Sequence, residues 1–369
     1  MVDSGIVNPI TPSLSRKMTN MAFVCTVIVV AMHSPGARRI FNLEFLGSGA
    51  VLIAVPYFFL ASGFFLAGHI FNENNWYFFE LKKRIKSLVI PFFLWNGLWI
   101  TAMFAITLML NLIHSRELLD NCNTILINGI TMGHPDKPPP FCGGVIYDAF
   151  AAMGLNPFSL PFVQQLWYVR ALILLVVISP LLKRFANPTG LILLFIIYLV
   201  LRPFGSNEGY NLSKLLGFAR YNGFFRIMLS AEGMFYFTAG MYLRKHFIRF
   251  SRKQWFFIGM VAVALLAAFD YCNMHHILVN GLYFRCLSIP FVLAIVWHIV
   301  PDSQWPKWLV ASAFPVFLMH RCTLYFIRIV NVPRIWPLQV IIVVVLSVAT
   351  TFLLRKFFPR IASILFGGR

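Results

Sequence analysis

Residues 335–354 read IWPLQVIIVVVLSVATTFLL, a run with no charged side chain. A helix rises about 1.5 Å per residue, so this stretch covers roughly the 30 Å hydrocarbon core of a bilayer and reads as a membrane-spanning helix. Working outward from it, apolar runs of spanning length fall at 309–329, 281–300, 255–272, 224–243, 189–204, 166–182, 88–112, 49–70 and 20–36. Together they predict an all-α polytopic integral membrane protein of about ten spans. Composition points the same way: of 369 residues 59% are hydrophobic and 12% charged, with mean hydropathy +0.76, whereas soluble domains carry about 25% charged residues. This excludes a disordered chain, a disulfide-rich secreted module and an ordinary cytoplasmic enzyme.

The 31 Lys and Arg outnumber 12 Asp and Glu, for a net charge of +19. In a soluble protein that excess suggests nucleic acid; along a membrane chain it is read segment by segment. With the N-terminus in the cytoplasm, most of the cations fall inside: Arg16 and Lys17; Lys82, Lys83, Arg84 and Lys86; Lys183 and Arg184; Arg244, Lys245, Arg249, Arg252 and Lys253; Lys307; Arg355, Lys356, Arg360 and Arg369. Both termini are therefore expected to be cytoplasmic. The organisation that follows is a cytoplasmic N-terminal segment (1–19), a membrane domain (20–354) with a long external loop (113–165), and a cytoplasmic tail (355–369). In that loop the prolines and glycines of GHPDKPPPFCGG (133–144) exclude a regular element. The first run resembles a secretory signal, but nine further spans commit the chain to the membrane, and it is retained as a span. Six cysteines show no CxxC or Cys/His metal spacing, so no metal is expected. Cys122 and Cys142 share the external loop and are the candidates for a disulfide.

Ionisable groups in hydrocarbon cost about 2.5–3.5 kcal/mol each on the insertion scale, so each needs a reason to be there. His33, Arg170, Arg226, Glu232, Arg285, His298, His320 and Arg321 fall within spans. Pairing of an arginine with Glu232 is the plain structural explanation for some of them. His33 ends VCTVIVVAMHS, about 13 residues into a helix starting near residue 20, which places it roughly 20 Å along the core, toward the outside. A neutral imidazole there is suited to take a proton from a hydroxyl; an interfacial histidine bonded to a neighbouring helix is the simpler alternative. His320, about 11 residues into its span, is expected near the midplane.

ELKKRIKSLVIP (80–91) sets Lys82, Lys83, Arg84 and Lys86 at the mouth of the third helix, with Lys82 and Lys86 one turn apart. Four cations suit a phosphorylated ligand such as the adenosine phosphates of coenzyme A; topology and anionic lipid account for them equally. In VPYFFLASGFFLAGH (55–69), Ala61, Ser62 and Gly63 form a small-residue notch amid aromatics, open either to a neighbouring helix or to a slender ligand. Ser62 and Gly63 join the four cations as candidate donor-binding residues. Trp167 and Tyr168, in QLWYVRALILLVVISPLLKR (165–184), fall at the outer boundary where aromatics gather. With Arg170, Arg226, Glu232 and His320 they complete the candidates for contacts to substrate or oxyanion.

Taken together, VVAMHS, VPYFFLASGFFL, KKRIKSLVIPFFLW, QLWYVRALILLVVISPLL, RYNGFFRIMLSAEGMFYFTAGMYL and SAFPVFLMH occur in that order along nearly the whole chain. The series resembles the acyltransferase family 3, polytopic membrane O-acyltransferases that modify extracytoplasmic glycans. The resemblance implies about ten spans, a cytoplasmic acyl-CoA donor, usually acetyl-CoA, and a hydroxyl acceptor on an exported polysaccharide such as O-antigen, on a lipid-linked sugar or on a small molecule. It implies a bacterial cytoplasmic membrane, with membrane lipids, donor and acceptor as partners and no nucleic acid. His33 takes the place of the family's first-span histidine, and Lys82 to Lys86 that of its basic motif. Where the family commonly carries a cation eleven residues before the histidine, this chain has Ala22; where it has two arginines four apart, this chain has Lys82 and Lys86. Some relatives add an extracytoplasmic esterase-like domain, and this chain is expected to be a stand-alone version. The reading from another class is a transporter or flippase for an anionic or sugar substrate. Its mark, paired broken helices in two related halves, is not found.

Overall fold

The computed structural model describes residues 10–34, 47–72, 76–99, 101, 166–201, 231–246, 251–274, 293–296, 298–330, 332–333 and 335–368. Most of these are helical, with no strand among them. The helices are α1 (Pro12–His33), α2 (Gly47–Asn72), α3 (Trp76–Arg84), α4 (Trp167–Val177), α5 (Ser179–Arg184), α6 (Pro188–Leu201), α7 (Ala231–His246), α8 (Arg252–Met274), α9 (Lys307–Val310), α10 (Ala313–Ile329), α11 (Trp336–Phe357) and α12 (Pro359–Leu365). α3 continues through a π turn, Ile85–Val89, and remains helical to residue 99. The external loop with Cys122 and Cys142, most of the eighth expected span, Arg226 and Arg285 lie outside the described residues.

Among the described residues three helical stretches are long and apolar enough to cross a membrane: α1, residues Ala54–Phe71 of α2, and α11. α11 shows which solvent it was built for. Its buried side chains include Gln339, Val343, Ser347 and Thr351, spaced four apart along one face, while Ile341, Val345, Leu346, Phe352 and Leu353 are exposed. The Ser347 hydroxyl lies 3.3 Å from that of Thr323 on α10, and Gln339 Nε2 donates to the Pro333 carbonyl at 3.2 Å. Polar groups inward and branched apolar groups outward suit a helix whose outer face meets lipid tails.

Local chemistry moves several boundaries. α1 begins at Pro12, well before residue 20, because Thr11 caps it by accepting from the Leu14 amide at 3.3 Å and Pro12 suits the first turn. His33 is therefore the last residue of α1, about 32 Å from its start. The fourth expected span is interrupted at Ile178, where Pro180 starts the separate helix α5. The segment expected as a plain C-terminal tail folds back: α12 follows α11 directly, and Phe366 is fully buried.

Two contacts assemble the bundle around the candidate residues. The base of α1 is tied to the segment preceding α9 and α10. Asp302 accepts from the Ser13 hydroxyl at 2.6 Å and from Arg16 at 2.9 Å, and Asn20 donates to the Ser303 carbonyl at 3.2 Å. The Ser13 hydrogen bond, then Arg16, holds the exposed Asp302 carboxyl below its usual range. The second contact joins α2 to α7. A Cβ at Gly63 would collide with the Phe237 carbonyl, and one at Gly240 with the Leu60 carbonyl, so only glycine permits this approach. Gly240 stands at Leu60 and Phe64, and Arg244, one turn on, reaches Gly68; the two helices run in the same direction.

Candidate active site

Two polar groupings are arranged along α2. The first gathers around the end of α1. The His33 and His320 rings stack with centroids 5.2 Å apart and planes 18° from parallel. The two sequence candidates, expected at different depths, thus lie side by side. His33 is half-buried; the next residue, Ser34, is buried and closes α1 by donating from its hydroxyl to the Val30 carbonyl at 3.0 Å. His320 is fully buried, and its Nδ1 lies 2.6 Å from the Phe317 carbonyl. A carbonyl only accepts, so Nδ1 carries a hydrogen there. Nε2 is buried with no hydrogen-bond partner among the described residues.

An aromatic wall extends from this pair. Phe317 packs 5.8 Å from His320, 5.5 Å from Tyr168 and 6.0 Å from Phe58. Tyr168 in turn meets Phe59 at 4.8 Å, and Phe59 meets Trp167 at 6.3 Å. Trp167 and Tyr168 are therefore joined to the histidines through α2 and α10. Arg170 is buried two residues beyond Tyr168 on α4. Glu232 is half-buried in the first turn of α7. Phe58, Phe59 and Phe317 lie inside blocks that the sequence had singled out, but their neighbours, not they, drew attention as the chemically active types.

The second grouping surrounds the C-terminal turn of α2. Glu80 on α3 is fully buried beneath the cationic cluster and pairs with Lys83 at 3.2 Å and Arg84 at 3.3 Å, with His69 of α2 at 3.7 Å. Lys183 of α5 donates to the Ile70 carbonyl at 2.8 Å and lies over the Phe71 ring. Arg244 of α7 is buried over the Phe64 ring beside Gly68. Cations from three other helices thus converge on the carbonyl end of α2, where a helix carries partial negative charge. Lys82 and Lys86 are exposed, as Lys83 is, but unlike Lys83 they make no ion pair among the described residues. Glu80, Lys183 and Arg244 were missed as parts of this grouping, since nothing in their local sequence announces a meeting at the end of α2.

The face of Gly63 is not open to a ligand. The Phe237 backbone fills the notch, so the helix-packing alternative holds at that position and Gly63 is withdrawn as a donor contact. Ser62 beside it is half-buried.

The family model for the acyltransferase domain matches residues 20–356, which takes in both groupings. The chain belongs to acyltransferase family 3. No curated protein and no solved structure matches it. It is a membrane acyltransferase, and the stacked histidines stand on two of the blocks that carried the resemblance. At the position where this family commonly has a cation, Ala22 packs against the apolar core, and Arg16 upstream is engaged by Asp302.

Proposed function

We propose that this acyltransferase moves an acyl group, acetyl in the first instance, from cytoplasmic acyl-CoA to a hydroxyl of an extracytoplasmic glycan or lipid-linked sugar, with His33 as general base. The observation that carries the reading is the placement of His33: at the end of a spanning helix, stacked on a second imidazole and joined through it to an aromatic wall. His33 takes the proton from the acceptor hydroxyl as its oxygen attacks the thioester carbonyl. The tetrahedral oxyanion collapses, the C–S bond breaks, and the coenzyme A thiolate leaves and is neutralised by the proton held on His33. The carbonyl end of α1 favours positive charge on that ring while it lasts. Arg170 and Arg226 are the proposed partners of the oxyanion.

Lys82 and Lys86 hold the donor phosphates in this scheme. Lys83 and Arg84 are oriented by Glu80 and leave the other two lysines to face the solution. The separation along α2 between His69 and Phe58 is about 16 Å, so an extended pantetheine arm runs from one grouping toward the other. About ten spans, both termini inside, and a bacterial cytoplasmic membrane belong to the same proposal.

The test compares cell-envelope glycans by mass spectrometry in cells carrying wild type or His33→Ala, alongside the amount of inserted protein. Loss of a general base removes about 10²- to 10⁴-fold in rate, so the acyl mass should disappear while the protein stays in the membrane. Substantial acylation by correctly inserted His33→Ala refutes the role of His33.

A further inference from the structure

The base in this scheme sits where a helix is least able to hold a side chain still. His33 is the last residue of α1, and helix ends fray. Proton transfer in a transition state needs the imidazole placed within hydrogen-bond reach and in line, so something outside α1 must fix the ring. His320 has the opposite situation: it is seven residues into α10, fully buried, and its ring is fixed by the Nδ1 contact to Phe317 at 2.6 Å and by the Phe317 ring behind it.

The 18° angle between the planes decides what His320 does for its neighbour. His320 Nδ1 is committed to the Phe317 carbonyl and Nε2 has no hydrogen-bond partner among the described residues, so the two nearly parallel rings meet without a hydrogen bond between them. His320 therefore covers a face of His33 and acts on it through that face. The 5.2 Å centroid separation lies within the range of offset-stacked aromatic pairs. When His33 takes the acceptor proton, the adjacent π face attracts the new cation. Two imidazolium rings at that distance would repel each other, so one ring carries the proton at a time.

We propose that His320 is a positioning residue: a fixed aromatic plane on which the His33 ring rests, acting through its face and not through proton transfer. The proposal rests on the reading of His33 as the base. It differs from a buried histidine that merely fills space in what should replace it. Phenylalanine keeps a flat ring and has no nitrogen; leucine keeps apolar bulk and has no face.

The experiment measures kcat and KM for acyl-CoA in purified, reconstituted His320→Ala, His320→Leu, His320→Phe and His33→Ala. A misplacement of about 1 Å costs up to about 10²-fold in rate, so His320→Ala and His320→Leu should lose roughly ten- to a hundredfold in kcat with the KM for acyl-CoA little changed. His320→Phe should recover most of kcat. Equal activity of the Leu and Phe variants overturns the proposal, as does a folded His320→Phe that is as inactive as His33→Ala, which makes the nitrogen the working part. Active His33→Ala defeats the reading of the base itself, a result distinct from either. If His320→Phe does not insert, NMR of wild-type enzyme carrying ¹³C-labelled histidine decides. The His33 ring protons, assigned by their absence in His33→Ala, should show an upfield ring-current shift, and unshifted positions refute the stack.

Discussion

Glu80 and Lys86 are six residues apart on one continuous helix yet face different surroundings. Glu80 has no exposed surface and draws Lys83 and Arg84 toward itself, whereas Lys86 projects into solution. A buried carboxylate requires partners, since desolvation of an unpaired charge costs several kcal/mol. Exposed cations of the Lys82 and Lys86 kind contribute about 0–1 kcal/mol to stability but interact strongly with a phosphate when one is present. The double substitution Lys82→Ala with Lys86→Ala should therefore raise the apparent KM for acyl-CoA about tenfold or more, in line with ~1.4 kcal/mol per decade, and leave thermal unfolding in detergent nearly unchanged. Steady-state kinetics at varied acyl-CoA, with a melting curve of the same preparation, checks both halves. An unaltered KM would reduce the pair to a topological signal.

At the scale of elements, the π turn Ile85–Val89 is locked from an unexpected side. Trp95, further along the same helix, donates its indole N–H to the Leu365 carbonyl at 3.1 Å and stacks on Phe366 with centroids 6.3 Å apart. Gly367 then passes the Ser87 carbonyl so closely that a Cβ would collide with it, at φ +70°. Gly368 has φ +69° as well, but a Cβ there would lie 3.5 Å from the Ser363 hydroxyl, an ordinary contact. Both substitutions to alanine bear the left-handed penalty of about 1–2 kcal/mol; only Gly367→Ala adds the collision. Gly367→Ala should therefore lower the melting temperature more than Gly368→Ala. Because Ser87 follows Lys86, Gly367→Ala should also weaken acyl-CoA use. Differential scanning of the two variants beside wild type makes the comparison, and equal melting points would mean that the C-terminal segment does not clamp the π turn.

For the whole molecule, the proposed orientation follows from where the cations accumulate. In a cysteine-free background, Phe250→Cys in intact cells should resist a membrane-impermeant thiol reagent, while Asp136→Cys should react; the reverse pattern would invert the protein in the membrane. The internal geometry is compatible with this arrangement. α2 and α7, the second and sixth expected spans, run in the same direction, as helices separated by an even number of crossings must. The cations Lys83, Arg84, Lys183 and Arg244 converge at one end of α2, away from the stacked histidines.

The apolar runs by themselves established a helical membrane protein, because hydrophobicity over about twenty residues is a local property that the bilayer reads directly. The ordered blocks established the family and singled out His33, His320, Trp167, Tyr168 and the basic cluster. Partnership was not legible. That His33 rests on His320 goes with the tie of Asp302 to the base of α1, made across a sequence separation of 289 residues. The notch at Gly63 was open to either a ligand or a helix until the carbonyl of Phe237 was found against it. Glu80 looked like one more charge beside a cationic run until burial made it the anchor of two of the four. Hydropathy sums along the chain, whereas stacking, close helix approach and buried ion pairs act over a few ångströms between residues far apart in sequence. The first is therefore written in any window of twenty residues, and the second only in the packed bundle.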